Sequence, residues 1–577
     1  MASIVGTSGN DFIHVPGQGG TAPGLNDMPV ATDTGDTIDG AAGNDRIIAG
    51  LGADTITGGI GNDTISGGAG EDMLLGDAGA DTLTGGAGFD TLSYAASAAG
   101  VSLVTSLTPG SGGDAQGDLI LQDSSIEKFV GSAFDDHITA DAGVLDGGAG
   151  NDVLSLFNYY YRGPVTLIGG AGDDTLSGNG LDATFIGGTG ADRFVGAASG
   201  PAAGVGTVSY ADSSAGVRIN LTGGANGGAA GVGGDAEGDI FIRIKSAIGS
   251  AFDDILTGND GGNVLRGGDG NDILLGRGSD SPDFLARDIL DGGNGIDTAD
   301  YGASTVGVHV DLIQGTGDDG SSLADQLISI ESVTASSHDD VVIGNGGVNG
   351  LWGFAGDDSL SGNGGNDSLK GGAGQDLLEG GSGADRLDGG DGIDTAVYTH
   401  SALAVTVDLG TNSGLFGEAQ GDTFAGIENV VGSAGGDTLK GGAGANMLSG
   451  EDSNDRLTGA GGADVLNGGA GGDLFTYRAI GDSTVAVAGR DTIQDFNSLE
   501  QDRIDLGQID ADGNAGNGNS TFSFIGTGAF TGAGAEVRFT AAGGDLLVQG
   551  DVNGDKVADF AILVQGTLTL TAADFVL

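Results

Sequence analysis

Aspartate recurs in this chain at a spacing that could hold metal. Between Gly40 and Ser93 six nine-residue units run without a gap: GAAGNDRII, AGLGADTIT, GGIGNDTIS, GGAGEDMLL, GDAGADTLT and GGAGFDTLS. Each places Asp sixth, at Asp45, Asp54, Asp63, Asp72, Asp81 and Asp90, and an aliphatic residue two positions later, from Ile47 to Leu92. Aspartate oxygens and the carbonyls of a glycine-rich loop are hard donors, and a set of them suits Ca²⁺ with its six to eight oxygens. The same slot recurs at Asp152, Asp174, Asp192, Asp254, Asp272, Asp297, Asp340, Asp358, Asp367, Asp376, Asp385, Asp394, Asp437, Asp455, Asp464 and Asp473. All are candidate calcium ligands.

The elements that must position them follow from the unit itself. Its glycines can take positive φ and turn tightly. Its last three residues are extended, with the aliphatic side chain inward and its neighbours outward. A turn and a short strand make half a coil. Two units, 18 residues, then make a full coil, and stacked coils give an all-β, right-handed parallel β-roll or β-helix. Asp45, Asp63 and Asp81 line one edge, and Asp54, Asp72 and Asp90 the other. Neighbours on an edge lie one strand spacing apart, about 4.8 Å. Bare carboxylates that close would repel, and a divalent ion between turns removes the conflict.

These units resemble the nonapeptide GGxGxDxUx of RTX, or hemolysin-type, calcium-binding proteins. The resemblance implies a calcium-filled solenoid.

Composition agrees. The chain has 577 residues, 123 of them Gly and none Cys, with net charge −62. Ten of the 81 acidic residues are Glu, which leaves 71 Asp. That bias picks the shorter carboxylate, which fits tight turns. Roughly twenty Ca²⁺ would offset about 40 charges, and the acidity left argues against nucleic acid or an anionic membrane as partner. Without Cys, ions would replace disulfides as staples. The opening MASIVGTSGNDFIHV has neither a basic nor an apolar signal region. No apolar run of about 18 residues exists to span a membrane.

Along the chain, residues 1–39 read as a lead-in or cap, with one repeat-like unit around Asp11. At Tyr94 a wider segment interrupts the repeat: YAASAAGVSLV, GSGGDAQGD, then SIEKFVGSAFDDHIT. It returns at Tyr210, Tyr301 and Tyr398, at intervals of 116, 91 and 97 residues. Four modules are therefore expected, at 40–209, 210–300, 301–397 and 398–489, with a cap at 490–577. The wide segments should continue the solenoid as larger coils with projecting loops. The whole rod should reach ~100 Å. In three modules the slot nine residues after Asp254, Asp340 and Asp437 holds Asn263, Asn349 and Asn446. Such coils should bind calcium weakly or not at all.

From Arg490, short alternating strands and Gly turns predict a compact β cap over the last open coil. The region resembles the C-terminal domain of serralysin-type secreted proteins, and Asp574-Phe575-Val576-Leu577 matches that family's acidic-then-apolar ending. The resemblance implies a type I secretion signal, with the type I machinery as partner. Export would run in one step to the exterior or surface of a Gram-negative cell. Within the cap, Asp551, Asn553, Asp555 and Asp559 have the spacing of half an EF-hand-like loop, with Leu563 where the terminal Glu would stand. They are further metal candidates, and an Asx-stabilised turn is the alternative.

The serralysin likeness invites a protease reading, which the residues reject. His14, His137, His309, His338 and His400 stand singly and none precedes a Glu. There is no G-x-S-x-G elbow and no thiol. Paired acids such as Asp135-Asp136 and Asp253-Asp254 imitate a glycosidase dyad, but their repeat register explains them as ligands. No catalytic residue and no cofactor other than calcium is expected. Tyr159-Tyr160-Tyr161-Arg162 could be a contact or sugar-stacking patch, and Trp352 could sit in an interface. The leading expectation is a non-enzymatic extracellular scaffold that self-assembles into a surface layer, matrix or filament. An adhesin or carbohydrate-binding protein that engages cell-surface polysaccharide comes second. A polysaccharide-modifying enzyme on a β-helix groove comes third.

Overall fold

The fold is that of a computed structural model, which describes residues 3–14, 25–29, 34–105, 108–121, 126–157, 164–196, 205–223, 230–277, 287–320, 324–511, 520–567 and 569–577. The Tyr159–Arg162 cluster lies outside them. Among the described residues there are strands and short 3₁₀ turns but no α-helix. The chain divides into two compact units, Met1–Asp297 and Thr298–Leu577.

In the first unit the 18-residue coil is realised residue for residue. Thr55–Thr57 pairs in parallel with Thr37–Asp39 before it and Met73–Leu75 after it, so Ile38, Ile56, Leu74 and Leu92 stack in one column. On the other side Ile13, Ile47, Ile65 and Leu83 form a second column. These side chains are no more than 1% exposed. The core is thus two facing ranks of single aliphatic residues, which is why a chain with 5% aromatic residues suffices. Burying each contributes about 1.5–3 kcal/mol.

The wide segments rejoin the stack in register. Leu92 pairs with Phe129, a step of 37 residues, and Phe129 with Leu145. The added chain holds a hairpin, Ser102–Val104 against Thr108–Ser111, and Ser102–Val104 itself pairs in parallel with His137–Ala140.

The second unit repeats the design. Val342, Leu360 and Leu378 stack on one side. Val333, Leu351, Leu369 and Leu387 stack on the other. Trp352 is half-buried between Thr334 and Lys370 of the adjoining strands. The C-terminal cap is an antiparallel meander of Glu536–Ala542, Asp545–Asp551 and Phe560–Val564. Phe560–Val564 then pairs in parallel with Thr492–Ile493, and Phe575–Val576 with Arg503–Asp505, so the cap covers both open strand columns. Within the acidic-then-apolar ending Phe575–Val576 is strand, and Asp574 closes the 3₁₀ turn before it, accepting the hydroxyl of Thr571 at 2.9 Å.

Candidate calcium sites

Each sixth-position aspartate hangs between two coils. Its Oδ1 accepts the backbone amide of the aspartate one coil earlier: Asp63 from Asp45 at 2.6 Å, Asp81 from Asp63 at 2.7 Å, Asp72 from Asp54 at 2.9 Å. The second unit repeats this at Asp385 and Asp473, which accept the amides of Asp367 and Asp455 at 2.8 and 2.9 Å. The pairings predicted from spacing are those the fold makes.

The other oxygen, Oδ2, is left bare. At every row aspartate singled out from the sequence except Asp254, Asp340 and Asp437, Oδ2 is buried and accepts no hydrogen bond, and the residues are no more than 3% exposed. Asp491, in the cap, joins them. An uncompensated carboxylate oxygen away from water costs several kcal/mol. Burial pushes these acids up, opposed by the amide donated from the preceding coil and reinforced by neighbouring carboxylates: Asp54 to about 6, Asp81 to about 7 and Asp455 to about 8. A cation at Oδ2 would restore the ionised form.

A second oxygen faces the same place. A methyl group on Gly67 would stand 2.5 Å from Oδ2 of Asp72 and 2.7 Å from the carbonyl oxygen of Gly85 in the next coil. The first glycine of the unit is required because carboxylate and carbonyl oxygens crowd there with no hydrogen between them. Among the described residues no three acidic or histidine side chains gather at one point. The donor set is therefore single carboxylates with backbone carbonyls, which fits a hard, oxygen-seeking ion such as Ca²⁺ and not Zn²⁺.

Asp254, Asp340 and Asp437 are held differently. Oδ2 of each accepts the amide of the serine four residues earlier, at 2.6 Å in Asp437, and Oδ1 accepts that serine's hydroxyl. At Asn263, Asn349 and Asn446 the amide nitrogen donates to the carbonyl of Lys245, Glu331 or Glu428 in the preceding coil. In the cap loop, Asp551 accepts the amides of Gly554 and Lys556, and Asp559 those of Val552 and Asn553. Asn553 and Asp555 accept the amides two residues on. This is the pattern of an Asx-stabilised turn.

Three contributors escaped the sequence reading. Fifth-position Asn or Asp forms a reverse ladder: Asn44 Oδ1 accepts the amide of Asn62, and Asn62 Oδ1 that of Ala80, both at 2.9 Å. The recurrent ND and DD pairs were its signal. The second is the serine of GSAFDD, ASSHDD and GSAGGD. The third is the tyrosine that opens each wide segment: Tyr94 donates to Asp118 at 2.7 Å and Tyr398 to Asp422 at 2.8 Å. Both pairs are 24 residues apart, a spacing visible in the repeat of the motif.

Comparison with known families agrees with the geometry. Residues 30–65, 57–92, 123–154, 162–184 and 248–280 match the RTX calcium-binding nonapeptide repeat. Residues 292–577 match the Peptidase M10 serralysin C-terminal region, with no match to a protease domain. No individual curated protein matches the chain.

Proposed function

From a chain that carries RTX calcium-binding repeats and a serralysin C-terminal secretion region, we propose a secreted, non-enzymatic scaffold that folds on calcium outside the cell and assembles at the surface as a layer, matrix or filament. The ranks of buried, bare Asp Oδ2 atoms carry the reading. They make the fold expensive where calcium is scarce, as in the cytosol, and favourable at millimolar calcium, because ion binding then adds to folding free energy.

The row aspartates with bare Oδ2 would hold the ions, each with carbonyls of the adjoining glycine loops. Calcium supplies positive charge and extra coordination between coils. The chain supplies the spacing, the Oδ1–amide bonds that aim each carboxylate, and the aliphatic columns that exclude water. The assembly step rests on allocation, since nearly all residues belong to repeat, cap or export region. Electron microscopy of the secreted protein with calcium tests it. Ordered arrays or filaments are expected, and dispersed monomers at every concentration would refute it.

A further inference from the structure

Several aspartate rows begin and end on a side chain unlike those between, although the row from Asn446 through Asp464 ends on Asp491, which is bare. The row from Asp437 through Asp455 and Asp473 to Asp502 shows the pattern. The interior members Asp455 and Asp473 have bare Oδ2 atoms. At the start, Asp437 takes the amide and hydroxyl of Ser433 at 2.6 and 2.9 Å and the amide of Val405 at 2.6 Å. At the end, Asp502 takes the amides of Asp473 and Asn497, both at 2.8 Å.

A parallel row runs from Asn349 through Asp367 and Asp385 to Asp422. Asn349 Oδ1 accepts the amide of Asn345 at 2.8 Å, and its Nδ2 donates to the carbonyl of Glu331 at 2.9 Å. Asp422 accepts the amide of Asp385 at 2.9 Å on Oδ1 and the hydroxyl of fully buried Tyr398 on Oδ2. In the first unit the row of Asp152, Asp174 and Asp192 starts on Ser132–Asp136 and closes on Tyr210–Asp239.

The backbone separates the two classes. Behind bare oxygens the second position is left-handed even without glycine: φ is 68° at Asn363 and 75° at Glu451. The coils of Asp81 and Asp491 depart from this, since Asp77 and Val487 are not left-handed. At the clasped starts Ser433, Asn345 and Gly442 are not left-handed either, and their amides point at the sixth-position oxygen instead.

We propose that these clasps stand in for calcium, so that ions fill the members of a row whose Oδ2 is bare while its clasped members are metal-free. A carboxylate whose two oxygens are occupied by N–H and O–H donors offers an ion little, and an Asn Nδ2, a donor without lone pairs, repels one. The clasps thereby fix where loading starts and stops, and they join wide segments to repeats without an ion.

The inference rests on calcium filling the interiors. Native mass spectrometry of the full chain in excess calcium separates the two readings. Asn446→Asp, which sets a carboxylate oxygen against the Glu428 carbonyl, is expected to gain one ion over the wild type. Asn446→Ala is expected to leave the count unchanged, and Asp464→Asn to lower it. Asn349→Asp repeats the gain in a separate row should Asn446→Asp not fold. A wild-type chain without calcium would overturn the proposed function and this inference together. A calcium-loaded wild type with no gain in either Asn→Asp variant, or a loss in Asn446→Ala, would overturn this inference alone.

Discussion

Asp437 and Asp455 stand one coil apart in the same row and are held by opposite means. Asp437 is saturated by a serine, while Asp455 keeps one oxygen bare and is pushed up to about 8, first by burial. The nonapeptide slot therefore has two states. Outside the coils of Asp81 and Asp491, peptide orientation at the second residue tracks whether the slot is complete within the protein or is left wanting a cation. A repeat can thus be metal-dependent in its body and self-sufficient at its joints.

Four changes break or sharpen that comparison. Removing calcium with a chelator is expected to have the largest effect. Row interiors lose their compensation together, and circular dichroism should show most of the strand signal disappear and return when calcium is restored. Unchanged strand content would mean that the bare oxygens are tolerated. Tyr398→Phe comes next. It strips the donor from a buried carboxylate at a joint and should cost about 2 kcal/mol. Because the loss lies outside the ion sites, extra calcium should not recover it, and the thermal midpoint at two calcium levels reads this. The smallest effect is a gain. Glu451→Gly relieves a left-handed non-glycine residue at an interior slot and should stabilise the calcium-loaded protein by about 1 kcal/mol. The same change at Asn345, which is not left-handed and whose side chain accepts the Gly347 amide at 2.8 Å, should destabilise it. Equal signs from the pair would erase the distinction between the two states.

Much of this was legible beforehand because period and chemistry coincide. Ile38, Ile56, Leu74 and Leu92 stack as the nine-residue spacing requires, and the sixth-position aspartates meet as their spacing of 18 dictates. The split between clasped and bare aspartates was not legible. Asp254 and Asp272 occupy the same slot in the sequence. What separates them is a peptide orientation set by Ser250, a contact of four residues that the repeat pattern does not encode. The Asn slots were visible as exceptions. Their reason, a second bond back to a carbonyl of the preceding coil, depends on the folded stack.

The opposed ladders carry a mechanical consequence. Sixth-position oxygens bind backward to the preceding coil and fifth-position oxygens bind forward, so Asp63 and Asn62 clamp neighbours on both sides. Tension along the stacking direction would load the bonds of a joint together rather than peel them one after another. Yielding would come in coil-sized steps.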